Sequence, residues 1–361
     1  MKRIMQWVCV LLAILMLTAT AYSSARAETA EHLRGTSVNV FTWGDYVDWA
    51  IPGFEEKYGI TVNIDYYNSE LEALNKLKAG RLGSVDVVNL GVGYEQWALE
   101  TDIVEPFDIE KIPSVKEMYP YFQENTRDGD GPDYKVPFAW GTNSFMYNAD
   151  IITHPVDDIE ILWDPQYKGQ ICPIDRGELM WCYAAIALGR DINDTSDEAF
   201  DVIEPKLRDM LALSKTLWLT GDDINQYMHN DEVVLAVCDN GRAHRLNKEG
   251  KNIEYVIPKQ GTEGWVDYMC LVKNAPNPEA GLLFINYMSC AETQAAMVDN
   301  VQYATPNSIV GEALDAETKT MLAMDDVNAT LSYIQIPEYK GMEWVTRVQE
   351  MWTKLKAEAG I

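Results

Sequence analysis

The chain has 361 residues, with 56 Asp and Glu against 29 Lys and Arg and a formal charge of −27 at pH 7. That balance argues against a nucleic-acid binder, because neutralising phosphates supplies most of such affinity. Apolar residues make up 47% of the chain, enough for the cores of two lobes of roughly 100–200 residues each.

The N-terminus reads as a secretion signal: Lys2 and Arg3, an apolar run from Val8 to Leu17, and a small-residue cleavage site at Ala25-Arg26-Ala27. The run is short for a membrane span of roughly 20 residues, and no cysteine stands at the cleavage point for lipid attachment. The expectation is a soluble periplasmic product that starts at Glu28. Its 26 basic residues against 56 acidic give a formal charge of −30.

Val38 to Phe41 then reads as a buried strand and Ile51 to Tyr58 as a helix closed by Gly59, so Trp43, Asp45 and Tyr46 fall in the strand-to-helix loop. Ligands of open α/β sheets bind at this end of the strands. Thr61 to Tyr66 alternates as a strand, Ser69 to Ala79 has a helical period opened by Ser69 and Glu72, and Val85 to Leu90 is the next strand. It runs into Gly91-Val92-Gly93-Tyr94, which lacks the third glycine of a dinucleotide fingerprint and suits backbone approach to another ligand. Lys135 to Ser144 reads as a crossing between lobes, leading into a strand at Phe145 to Tyr147. A second set follows: strand Ile171 to Ile174, helices Leu179 to Leu188 and Glu204 to Trp218, and strands Val233 to Cys238 and Ile253 to Ile257. Strand Trp265 to Val272 and helix Pro278 to Met288 return to the first set. This alternation argues for an α/β fold.

Five cysteines follow the signal: Cys172, Cys182, Cys238, Cys270 and Cys290. None forms a metal-ligand pattern. A Cys172–Cys238 disulfide and buried free thiols both fit. The four histidines lie apart and no G-x-S-x-G elbow is present, which leaves a serine hydrolase unsupported. Paired carboxylates of a glycosidase are the remaining enzymatic alternative.

In order, NVFTWGDY, DVVNLGVGYEQW, KVPFAWGTNSFMYN, DRGE, the VVLAV strand, IPKQGTEGWVDYMCLV, PEAGLLFINYM and QYATPN resemble the polyamine-type substrate-binding proteins of ABC importers. The resemblance implies a type II periplasmic binding protein fold: two discontinuous α/β lobes, 28–141 plus 268–313 and 142–267 plus 314–361, joined by a multi-strand hinge. It also implies a cleft for a small cationic or zwitterionic amine, a membrane permease as partner, a monomer, no cofactor and no catalysis. Trp43, Tyr46 and Trp265 match its aromatic walls, and Asp267 and Glu178 its ammonium-binding acids. Gly93, Tyr94, Asn143 and Tyr303 match ligand-facing loops, and Glu338 lies near another polar position. The departure from the family is Asp239 where it has tryptophan and Arg242 where it has an acid. Two readings stand. Arg242 faces a ligand carboxylate, which suits a 4-aminobutyrate-like amino acid, or it pairs with Asp239 or Glu178 and the ligand is a simple amine.

Overall fold

The computed structural model describes residues 30–44 and 46–361. The secretion signal and Asp45 lie outside the described residues.

One sheet runs through the molecule in the order β2-β1-β3-β8-β4-β6-β5, with β7 on β4 and β9 on β8. Its strands are β1 (Ser37–Trp43), β2 (Thr61–Tyr67), β3 (Val87–Gly91), β4 (Lys135–Asn148), β5 (Ile171–Cys172), β6 (Leu235–Asp239), β7 (Ile253–Val256), β8 (Thr262–Leu271) and β9 (Ile334–Gln335). The helices that bear on the site are α1 (Ile51–Tyr58), α2 (Glu70–Lys76), α3 (Tyr94–Glu100), α4 (Gly177–Ala187), α5 (Asp197–Leu213), α6 (Asn240–Lys248), α7 (Pro278–Ser289) and α8 (Gly341–Ala359). β1 pairs in parallel with β2 and β3, as expected of strands joined by helical crossovers. β8 runs antiparallel to β3 and β4.

Two separate cores define two lobes. The first gathers Val38, Phe41, Phe54, Val88, Phe138, Trp140, Met269 and Phe284. The second gathers Phe145, Met180, Trp181, Leu207, Val237, Val348 and Trp352. β4 belongs to both. Its 14 residues span about 46 Å at 3.3 Å per residue, so it crosses from lobe to lobe without a break, where the sequence suggested two strands. Pro137 lacks an N–H and sits at the edge of a register shift.

Several boundaries differ from expectation. Leu322, Met324, Val327 and Ile334 pack in the first core, and the second core resumes only at Trp344, so 314–334 stays with the first lobe. Met324 reaches back to Gly311 and Tyr119 there. Helix α5 begins at Asp197 rather than Glu204, because Ser196 caps it by accepting from the Ala199 N–H. It ends at Leu213, since Ser214 and Trp218 bridge to Ile171 and Ile174 as extended chain. β8 begins at Thr262, three residues before the expected start.

All five cysteines in the described residues are free thiols. β5 and β6 are neighbours, but the register sets Cys172 opposite Ala236 rather than Cys238.

Candidate functional site

β1 ends in Trp43, whose half-buried indole meets the Tyr67 ring edge-on at 4.7 Å. Trp49 donates from Nε1 to the Tyr46 carbonyl at 3.1 Å and so fixes the loop. The Tyr46 ring sits edge-on to Phe138 at 5.2 Å, and its hydroxyl donates to Asp267 Oδ2 at 2.7 Å. Asp267 lies on β8, opposite Gly91 of β3 and Ala139 of β4.

The other Asp267 oxygen faces a second acid. A Cβ on Gly91 would lie 2.8 Å from Glu70 Oε1 and 3.3 Å from Asp267 Oδ1, so the two carboxylates converge over a residue with no side chain. Asp267 is pushed up to about 7: burial dominates, the Tyr46 hydroxyl opposes it, and the Glu70 charge adds to it. Burial likewise raises Glu70, with Arg176 opposing. Glu70 was not among the predicted site residues.

Trp265 precedes Asp267 by two residues and so shares its face of the sheet. The indole lies over Gly141, where a Cβ would come within 2.6 Å of its Cζ2, and it meets Tyr303 edge-on at 4.8 Å. Tyr303 lies 6.2 Å from Tyr46, which closes an aromatic group of Trp265, Tyr303 and Tyr46 around the carboxylate. Gly93 precedes α3, and burial raises Tyr94 beside it, with Glu70 and Glu178 adding to the effect.

The second lobe contributes the start of α4. Arg176 is exposed yet lies in the field of Glu70, Glu263, Glu178 and Tyr94, as a side chain lining an open cleft does. It makes no ion pair within the described residues. Glu178 accepts from Gln349 Nε2 at 3.1 Å, while Asp175 is held by Lys356 at 2.8 Å and Trp352 at 2.7 Å. Glu178 is therefore tied to α8 rather than to its neighbours in sequence. Asn143 donates to Glu263 Oε2 at 2.7 Å, and burial pushes Glu263 up to about 7 against the opposing Asn143 hydrogen bond and the Arg176 and Lys340 charges. Glu263 was also not predicted.

Arg242 faces inward on the protein. Its Nε lies 3.2 Å from Asp239 Oδ2, its guanidinium stands 5.2 Å from the Trp218 ring centre, and its Nη1 fills the space where Gly221 lacks a Cβ. Glu338 is exposed and its N–H donates to Asn193 at 2.9 Å, whereas the adjacent Tyr339 stacks on Trp97 at 6.5 Å and lies against Gly93. Among the described residues no His, Cys, Asp and Glu cluster suits a metal, and no helix is long and apolar enough to cross a membrane.

Aromatic rings and acids of the first lobe thus gather where Arg176 of the second lobe acts on them. Comparisons with known proteins identify the fold and the family. A spermidine/putrescine-binding periplasmic protein of Escherichia coli (strain K12) is 26% identical over 329 residues, covering 88% of this chain and 90% of that protein. A putrescine/agmatine-binding protein of Pseudomonas aeruginosa is 24% identical over 378 residues, covering 98% and 99%. The solved spermidine/putrescine ABC transporter substrate-binding protein PotD of Streptococcus pneumoniae superposes with a TM-score of 0.78 at 23% identity, covering 90% of this chain and 100% of that one. The fold is thus the two-lobed α/β fold of periplasmic binding proteins. Residues 13–324 match the family model described as bacterial extracellular solute-binding protein, and the chain belongs to that family.

Proposed function

We propose that this protein captures a small amine in the cleft between its lobes, outside the cytoplasm, and delivers it to the permease of an ABC importer. It works as a soluble monomer released by signal cleavage, needs no cofactor and catalyses nothing. The observation that carries the reading is Asp267. One oxygen is held by Tyr46, the other is open toward Glu70, and the rings of Trp265 and Tyr303 stand beside it. A flat electron-rich face attracts an organic cation by about 0.5–2 kcal/mol, and a buried carboxylate gains a partner it otherwise lacks. Relatives named for spermidine, putrescine and agmatine support the same chemistry.

Arg242 bears on the choice between the two ligand classes. Its pairing with Asp239 neutralises it within the protein and favours a polyamine over a 4-aminobutyrate-like zwitterion. The zwitterion keeps one specific support, the exposed Arg176 guanidinium at the cleft.

The test is calorimetric titration of refolded, ligand-free protein with putrescine and 4-aminobutyrate. Putrescine is expected to bind, with 4-aminobutyrate weaker by more than tenfold. Tight 4-aminobutyrate with putrescine silent would place a guanidinium in the site as a carboxylate receptor, and silence from both would reject these two ligands and send the search to other cationic or zwitterionic metabolites.

A further inference from the structure

We infer that Glu263 is a second ammonium anchor and that the cleft selects an extended dication, its charges separated by more than a four-carbon spacer. The inference rests on the amine reading and names which amines the site prefers.

Side chains alternate along a strand, so Glu263, Trp265 and Asp267 of β8 share one face. Their partners on β4 are Asn143, Gly141 and Ala139, in unbroken register. The cleft therefore has a floor strip that reads acid, aromatic, acid. The backbone positions of the two acids are four residues apart, or about 13 Å. With a charge-assisted hydrogen bond of about 2.8 Å at each end, two ammonium nitrogens would sit roughly 7–13 Å apart. A four-carbon diamine is too short for the middle of that range, whereas a longer diamine or a triamine spans it with its methylenes across Trp265.

Glu263 is only 6% exposed, and within the described residues no cation pairs with it. Oε2 accepts from Asn143, while Oε1 has no hydrogen-bond partner among the described residues. Glu95 shows how this chain otherwise handles a buried acid. It is 3% exposed and has Lys135 Nζ at 3.1 Å. Glu263 has no such lysine: Arg176 and Lys340 act on it only from beyond ion-pair distance, and Cys182 and Tyr183 are its other titratable neighbours. Burying a carboxylate without a cation is costly, and a ligand ammonium on the same floor as the Asp267 site removes that cost.

The experiment is calorimetric titration of ligand-free wild type, Glu263→Gln and Glu263→Asp with n-butylamine, putrescine, 1,8-diaminooctane and spermidine. In the wild type, affinity should rise from putrescine to the longer amines. Glu263→Gln should lose at least tenfold on 1,8-diaminooctane and spermidine and far less on n-butylamine, and Glu263→Asp should restore most of the loss. The ligand-free Gln variant should melt no lower than wild type, which separates lost binding from lost folding. Equal losses on all four amines, no loss on any, or a wild-type preference for putrescine over the longer amines would overturn the inference and leave the amine reading standing. Wild-type silence toward every amine would overturn both.

Discussion

Asp267 stands near its own midpoint at neutral pH, because burial has raised it to about 7 while Tyr46 holds it down. An ammonium ligand recruits only the ionised form, so below that midpoint binding must release a proton. The affinity of a monoamine such as n-butylamine is therefore expected to fall about tenfold per pH unit below 7 and to level off above pH 8, measurable by titrations from pH 5.5 to 8.5. Tyr46→Phe removes the opposing hydrogen bond and should move that midpoint upward. The stability of the ligand-free protein follows the opposite course. Asp267 and Glu263 both titrate higher in the fold than in the unfolded chain, so between about pH 4 and 7 the folded state binds more protons. Stability should drop as pH rises through that window, and an amine should raise the melting temperature most at pH 8. Asp267→Asn should weaken amine binding by about 10²-fold, within the 2–5 kcal/mol of a buried charge pair that loses one partner. It should also flatten the pH profile and leave the ligand-free protein no less stable at pH 8.

At the scale of elements, the strip along β8 works because Trp265 can lie flat on β4, and it can do so because residue 141 has no side chain. Gly141→Ala puts a Cβ within 2.6 Å of the indole and forces it to move, at a cost of about 1–3 kcal/mol. Weaker amine binding and altered tryptophan emission with unchanged secondary structure are the expected result. Part of this was legible in the sequence: the loop after β1 and the alternation of strands and helices follow from local periodicity, while the Trp265–Asp267 pair was marked by the resemblance to polyamine-type binding proteins. What was missed depends on distant chain. Gly261 and Gly264 look like a turn, which hid Glu263 from the strand. Gly264 is strand because Ile334, 70 residues later, packs where its Cβ would be, at 2.4 Å from Cδ1. Glu70 reads as an ordinary first-turn acid of α2, and only the pairing of β1 with β2 and β3 carries that turn to Gly91. Arg242 posed the reverse problem. Its charge was visible, but the sequence left it between a ligand carboxylate and an ion pair with Asp239 or Glu178, and the fold brings Asp239 to it.

On the scale of the whole molecule, Glu70, Tyr94 and Asp267 belong to one lobe and Arg176 and Glu178 to the other, and β4, β8 and the segment between Ile334 and Gly341 connect them. A ligand that touches both sides favours the closed arrangement, so saturating amine should lower the radius of gyration in X-ray scattering, and an unchanged value would argue against closure. The field of the molecule makes a sharper prediction. A chain of formal charge −27 surrounds a cleft whose lining is itself rich in acids, and such a cleft concentrates cations and speeds their arrival by about 10 to 10³-fold at low salt. The Debye length shrinks from about 30 Å at 0.01 M to about 8 Å at 0.15 M ionic strength, so the outer charges stop acting on a distant ligand while the contacts within the cleft remain. Association of a dication measured by stopped-flow fluorescence should therefore slow several-fold over that range with dissociation little changed. A zwitterion carries no net charge for the field to pull, and its association rate should stay flat. A flat rate for a diamine that binds tightly would mean that the acidic surface serves solubility alone and that the selection of cations begins only inside the cleft.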